Sequence, residues 1–121
     1  MPDPILVVDD NPMNLKLLRV LLAGDGWEVR TAGSAAEARQ VLASFSPRLI
    51  LMDIQLPDVD GLTLTRELKA DPATAKVPVV AITSYAMKGD EEKALAAGCD
   101  AYVAKPIDTR ALPARLRSFI S

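Results

Sequence analysis

Four apolar runs in this chain stop at residues with chemistry to offer. Ile5-Leu6-Val7-Val8 stops at Asp9-Asp10, Leu49-Ile50-Leu51-Met52 at Asp53, Val79-Val80-Ala81-Ile82 at Thr83, and Ala101-Tyr102-Val103-Ala104 at Lys105. Such runs are too short for ordinary helices and carry no polar alternation, so they read as strands buried on both faces of a parallel sheet. Parallel strands would bring three carboxylates, a hydroxyl and an amine to one edge. Open α/β sheets place their sites at that edge, and Asp53 would sit in its middle. Two carboxylates ~4 Å apart repel by roughly 4 kcal/mol at an effective dielectric near 20. A hard divalent cation offsets that repulsion, and carboxylate oxygens with waters suit Mg²⁺. A carboxylate beside such a cation and a fixed lysine suits attack on phosphorus, because the positive charges neutralise the equatorial oxygens while a hydroxyl bonds one of them. Asp53, on the most enclosed strand, is the expected nucleophile.

The elements that would position these groups alternate strand and helix five times, which gives an α/β class with right-handed crossovers. Asn11 and Pro12 open a helix that runs through Leu22 or Ala23, with Gly24 as its C-terminal stop. Its apolar arc carries one stripe of Leu15, Leu18 and Leu22 and a second of Met13, Leu17 and Val20, wider than one core face requires. Either the helix is wedged tightly among its neighbours, or one stripe docks a partner helix. Trp27 to Ala32 alternates, as suits an edge strand. Ser34-Ala35-Ala36-Glu37 is a capping box that opens a helix ending near Ser44. Pro57 to Gly61 is turn chemistry, followed by a helix from Leu62 to Ala70. Asp90-Glu91-Glu92 places acids in the first turn of another helix, and Gly98 closes it. Pro113 forbids a helix starting at Asp108, so a turn is expected there with the last helix beginning near Leu112.

Length and composition bound the function. At 121 residues, 50% apolar and 25% charged, the chain reads as one ordinary globular domain, residues 1–121, with no output segment. A net charge of −2 offers no electrostatic footprint for nucleic acid or anionic membrane. There is no membrane-length apolar run and no signal-like start. The single Cys99 allows no internal disulfide, so a cytoplasmic setting is expected, with Cys99 as a packing residue. The chain has no histidine. Any phosphohistidine must therefore come from another protein.

Taken together, Asp9-Asp10-Asn11, Leu51-Met52-Asp53 followed by Pro57 and Gly61, Ala81-Ile82-Thr83 and Lys105-Pro106 resemble a response-regulator receiver domain of the CheY-like superfamily. The resemblance covers essentially the whole chain. Ala86 to Glu92 and Ala97 to Tyr102 look like the stand-alone, DivK-type regulators of cell division and polarity, although receivers of hybrid sensor kinases share much of that signature. The resemblance implies a flavodoxin-like, doubly wound sheet of order 2-1-3-4-5 with five helices. It implies that Asp53 accepts a phosphoryl group from a histidine kinase or histidine phosphotransfer protein, and that a downstream protein effector reads the result. Asp10, Asp53 and the Gln55 backbone carbonyl would ligate Mg²⁺, or Mn²⁺ in its place, with Asp9 acting through water. Thr83 and Lys105 would bind the phosphoryl oxygens, and Thr83 and Tyr102 would move together on activation. A cis Lys105-Pro106 bond is implied too. Gln55 and Tyr85 would flank the route of the hydrolytic water, with Tyr85 covering it. Ser84 stands where the family often has Ala. The chain is expected to act as a monomer or weak dimer. Two rivals remain: the receiver of a hybrid histidine kinase, and an aspartate-nucleophile phosphohydrolase. The second would want an acid where Gln55 stands.

Overall fold

The computed structural model describes residues 3–83, 89–104 and 108–120. Five parallel strands form one sheet: β1 (Asp3–Val8), β2 (Trp27–Ala32), β3 (Leu49–Asp53), β4 (Val79–Thr83) and β5 (Ala101–Ala104). Their order is β2-β1-β3-β4-β5, as the resemblance implied. The helices are α1 (Pro12–Gly24), α2 (Ala35–Leu42), α3 (Gly61–Ala70), α4 (Asp90–Ala96) and α5 (Leu112–Arg117).

The pleat sends alternate residues of the central strands to opposite faces, and both faces are dry. Ile5, Val7, Leu49, Leu51, Val80 and Ile82 pack with Leu18 and Leu22 of α1 and Leu112 and Leu116 of α5. Leu6, Val8, Ile50, Met52, Val79 and Ala81 pack under α2, α3 and α4. Every residue of β3 and β4 is buried, which is why their sequences are unbroken apolar runs ending in one polar residue. Cys99 is buried with them, and burial pushes its thiol pKa up, consistent with a packing role.

The local start signals hold. The Asn11 side chain accepts from the Met13 N–H, with Pro12 in the first turn of α1. Ser34 accepts from the Glu37 N–H, but Glu37 returns its bond to the Gly33 N–H rather than to Ser34, so the capping box is shifted by one residue. Asp108 accepts from Arg110 and Ala111 in a turn, and α5 begins at Leu112 with Pro113 in its first turn. Some boundaries differ from expectation: α2 ends at Leu42, two residues before Ser44. Gly24 belongs to α1, and the residue that turns the chain is Gly26 at φ 92°. Helix α3 starts at Gly61, one residue earlier, because Asp60 caps it through the Leu62 N–H. Among the described residues no helix is long and apolar enough to cross a membrane.

At the far edge of the sheet, Arg117 ties α5 down. Its guanidinium lies 4.7 Å from the centroid of the Trp27 ring and reaches Asp3 at 3.0 Å and Asp25 at 3.2 Å. This contact set leaves the opposite edge, where β1, β3 and β4 end, to the acids.

Candidate metal and phosphoacceptor site

Register places the acids. Val8 pairs with Met52, so Asp9 and Asp53 leave neighbouring strands at the same level. Asp53 in turn pairs with Ile82, and Thr83 follows one residue on. Asp9 is fully buried and Asp53 only 4% exposed, whereas Asp10 is exposed. One oxygen from each of the three carboxylates lies within 4.8 Å of the other two.

Asp9 and Asp53 end their strands by the same device. Oδ1 of Asp9 accepts the Asn11 N–H at 2.9 Å, and Oδ1 of Asp53 accepts the Gln55 N–H at 2.9 Å. These are Asx-type turns, in which a side-chain carboxylate substitutes for a backbone acceptor and turns the chain out of the sheet. Each turn also fixes the position of one oxygen of its carboxylate. The Nδ2 of Asn14 donates to Oδ2 of Asp9 at 3.4 Å, from the first turns of α1.

The loop after Asp53 is pinned on both sides. The Gly61 N–H donates to the Ile54 carbonyl at 2.7 Å, and a Cβ built on Gly61 would meet the Asp53 carbonyl oxygen, with Ile54 Cα at 2.8 Å. On the other side Asp58 reaches across to α2, accepting the Ala35 N–H at 2.9 Å and the Ala36 N–H at 3.0 Å. Those N–H groups, Ala35 first, hold the Asp58 carboxyl below its ordinary range. A lowered folded-state value means that this contribution is complete above the ordinary Asp range and is lost as pH falls through the folded value. Asp58→Asn is therefore expected to lower the urea midpoint at neutral pH, with the gap to wild type closing below about pH 4. Asp3, lowered chiefly by Arg48, titrates in the same window, so the acid slope is reduced in the variant rather than abolished.

Of the other expected site residues, Thr83 is buried at the end of β4. The Tyr102 ring packs against the core under α3 and α4 with its hydroxyl oxygen buried, so it already lies inward. Gln55 is exposed beside Asp53. Lys105, the Lys105-Pro106 bond and Tyr85 lie outside the described residues. Asn14, Asp58 and Gly61 were not singled out for the site by residue chemistry. Their turn and helix positions were legible, but their contacts to Asp9, to α2 and to the Asp53 backbone come from chain segments that meet only in the fold.

A doubly wound 2-1-3-4-5 sheet with an acidic triad at its carboxyl edge defines a class, and the chain belongs to it: residues 5–117 match the response regulator receiver domain family. Members of this family are switches of two-component signalling. The chain is similar to the polar-differentiation response regulator DivK of Brucella anthropi, at 42% identity over 99% of this chain and 98% of that one. The DivK of Brucella ovis matches at the same identity and coverage. Among solved structures, the receiver domain of a sensor histidine kinase from Pseudomonas aeruginosa, with a magnesium ion coordinated in its active-site cleft, superposes with a TM-score of 0.90. It is 34% identical, over 99% of this chain and 98% of that one. A CheY-like receiver domain protein from Methanospirillum hungatei gives a TM-score of 0.90 at 30% identity, over 98% and 93%.

Proposed function

We propose that this chain is a phosphorylation switch in which Asp53 takes a phosphoryl group from a phosphohistidine donor, a histidine kinase or a histidine phosphotransfer protein. The observation that carries this reading is the convergence of Asp9, Asp10 and Asp53 within 4.8 Å, two of them buried. Hard anionic oxygens in that number fit Mg²⁺, with Mn²⁺ able to substitute. Asp10, Asp53 and the Gln55 carbonyl would hold the ion directly and Asp9 through water, and the ion would neutralise charge on the transferred group.

In the transfer, an Asp53 carboxylate oxygen bonds to phosphorus as the phosphorus–nitrogen bond breaks and the imidazole leaves. Burial and the Gln55 N–H keep Asp53 in one orientation for in-line attack. Thr83 and Lys105 would take the phosphoryl oxygens. Thr83 would then move toward the added charge and the Tyr102 ring, already inward, would repack behind it, altering the face of α4, β5 and α5 that an effector reads. The 42% identity to a DivK supports a DivK-like regulator. Gln55 and Tyr85 would govern water access, so Tyr85→Ala should shorten the phosphorylated lifetime.

The test is to mix the purified chain with a phosphohistidine donor and Mg²⁺. One phosphoryl group per chain is expected, and none with a chelator. Labelling that ignores the chelator would overturn the metal's part.

The second stripe of α1 has a place in this reading. Met13, Leu17 and Val20 are 80%, 49% and 65% exposed, while Leu18 and Leu22 are buried, so the arc splits into a core face and an open face. The open face starts at Met13, three residues after Asp10, and would meet a helix that carries the donor histidine to Asp53. Leu17→Asp is expected to slow transfer from a protein donor about 10-fold or more, as loss of an apolar anchor does at interfaces. Labelling by a small phosphoramidate should be unchanged, and parallel time courses with the two donors check it.

A further inference from the structure

Asn14 sits one turn into α1, half-buried, and nothing about its place in the helix requires an amide. Its Nδ2 donates to Oδ2 of Asp9, while the Asn11 N–H donates to Oδ1 of the same carboxylate. The N-cap and first turn of α1 thus reach both oxygens of Asp9, at 2.9 Å from the Asn11 N–H and 3.4 Å from Asn14. A carboxylate held at one oxygen can still pivot about its Cβ–Cγ bond, and a second donor from a different direction fixes its plane. An amide suits the task. A lysine there would compete with a cation for the acids, and a further acid would add a fourth negative charge to the cluster.

We propose that Asn14 is a positioning residue for divalent-cation binding, setting the orientation of Asp9 and through it the affinity of the acidic site for Mg²⁺. This rests on the reading of Asp9, Asp10 and Asp53 as the metal site. Asn14 would act on the ion only through Asp9, the carboxylate that its Nδ2 reaches. Its effect is carried wholly by Asp9, so it must vanish when Asp9 can no longer respond.

The test is a double-mutant cycle on the full chain, with Mg²⁺ alone as the probe and calorimetric affinity as the readout. Asn14→Ala is expected to weaken Mg²⁺ binding about 3- to 10-fold, the range of one net hydrogen bond. In the Asp9→Ala background, which leaves Asn14 no acceptor, the same substitution is expected to change affinity by less than about twofold, because the two residues act as one unit. Should Asn14→Ala lower the urea midpoint, Asn14→Leu, which keeps the volume without the donor, carries the comparison. Equal affinity in wild type and Asn14→Ala overturns the proposal while leaving the metal site standing. The same loss in both backgrounds overturns it too, since a general structural role is additive. No binding by the wild type overturns the proposal and the metal site together.

Discussion

Asp53→Asn is expected to abolish labelling by a phosphohistidine donor, a loss of at least about 10²-fold, without unfolding the chain. Asparagine keeps the size of the side chain and an oxygen for the Gln55 N–H, so the turn that ends β3 survives. It lacks the anionic oxygen that must bond to phosphorus. It also removes one of three like charges held within 4.8 Å, a pair of which repel by about 3 kcal/mol at an effective dielectric near 20. Metal-free stability is therefore expected to stay level or rise while function is lost, and urea melts beside labelling gels show both at once. Asp10→Asn, at the exposed corner, should weaken metal binding and labelling together. Labelling of the Asp53→Asn protein at another acid would refute the assignment.

Gly61→Ala is expected to damage the site from behind. The added methyl would be driven into the Asp53 carbonyl, with Ile54 Cα at 2.8 Å and the Asp53 carbonyl carbon at 3.0 Å, and these are backbone atoms that cannot rotate away. Either α3 lifts, breaking the Gly61 N–H bond to Ile54, or the end of β3 shifts. Overpacking of this kind costs about 1–3 kcal/mol. A displacement near 1 Å at a reacting group lowers a rate about 10²-fold. The variant should thus lose stability and phosphotransfer together, with far less loss of donor binding. Urea midpoints and transfer rates at saturating donor separate the two effects.

The contrast between these residues shows what was legible in the sequence. Asp53 could be found because a carboxylate at the end of a doubly buried strand has few structural excuses, and the ends of β1 and β4 repeat the pattern. Asn11, Pro12, Pro113 and Asp108 were legible because caps and proline act within a few residues. Gly61 was visible as turn chemistry and as part of the receiver-like motif. Its actual constraint is the backbone eight residues back, which it meets only once β3 and α3 are packed. Asn14 and Asp58 are ordinary polar residues at ordinary positions, and Asp58 caps a helix 23 residues upstream. The wide arc of α1 left two readings open, and only the burial of Leu18 and Leu22 against the exposure of Met13, Leu17 and Val20 tells the faces apart.

The bond from Asp58 to Ala35 and Ala36 gives this chain a built-in gauge. The loop that carries Asp58 begins beside the phosphoacceptor, yet the amide protons it shields belong to α2, which packs on β2 and β1. Those two protons can exchange with solvent only when the loop lets go. Their deuterium uptake, read residue by residue, therefore counts openings of the loop beside Asp53 without a probe being placed there. Ala38, whose N–H bonds to the Ser34 carbonyl instead, supplies the internal clock for fraying of the helix itself. The ratio of the two rates, followed as Mg²⁺ and then phosphate are added, turns an ordinary exchange experiment into a time-resolved record of the active-site loop.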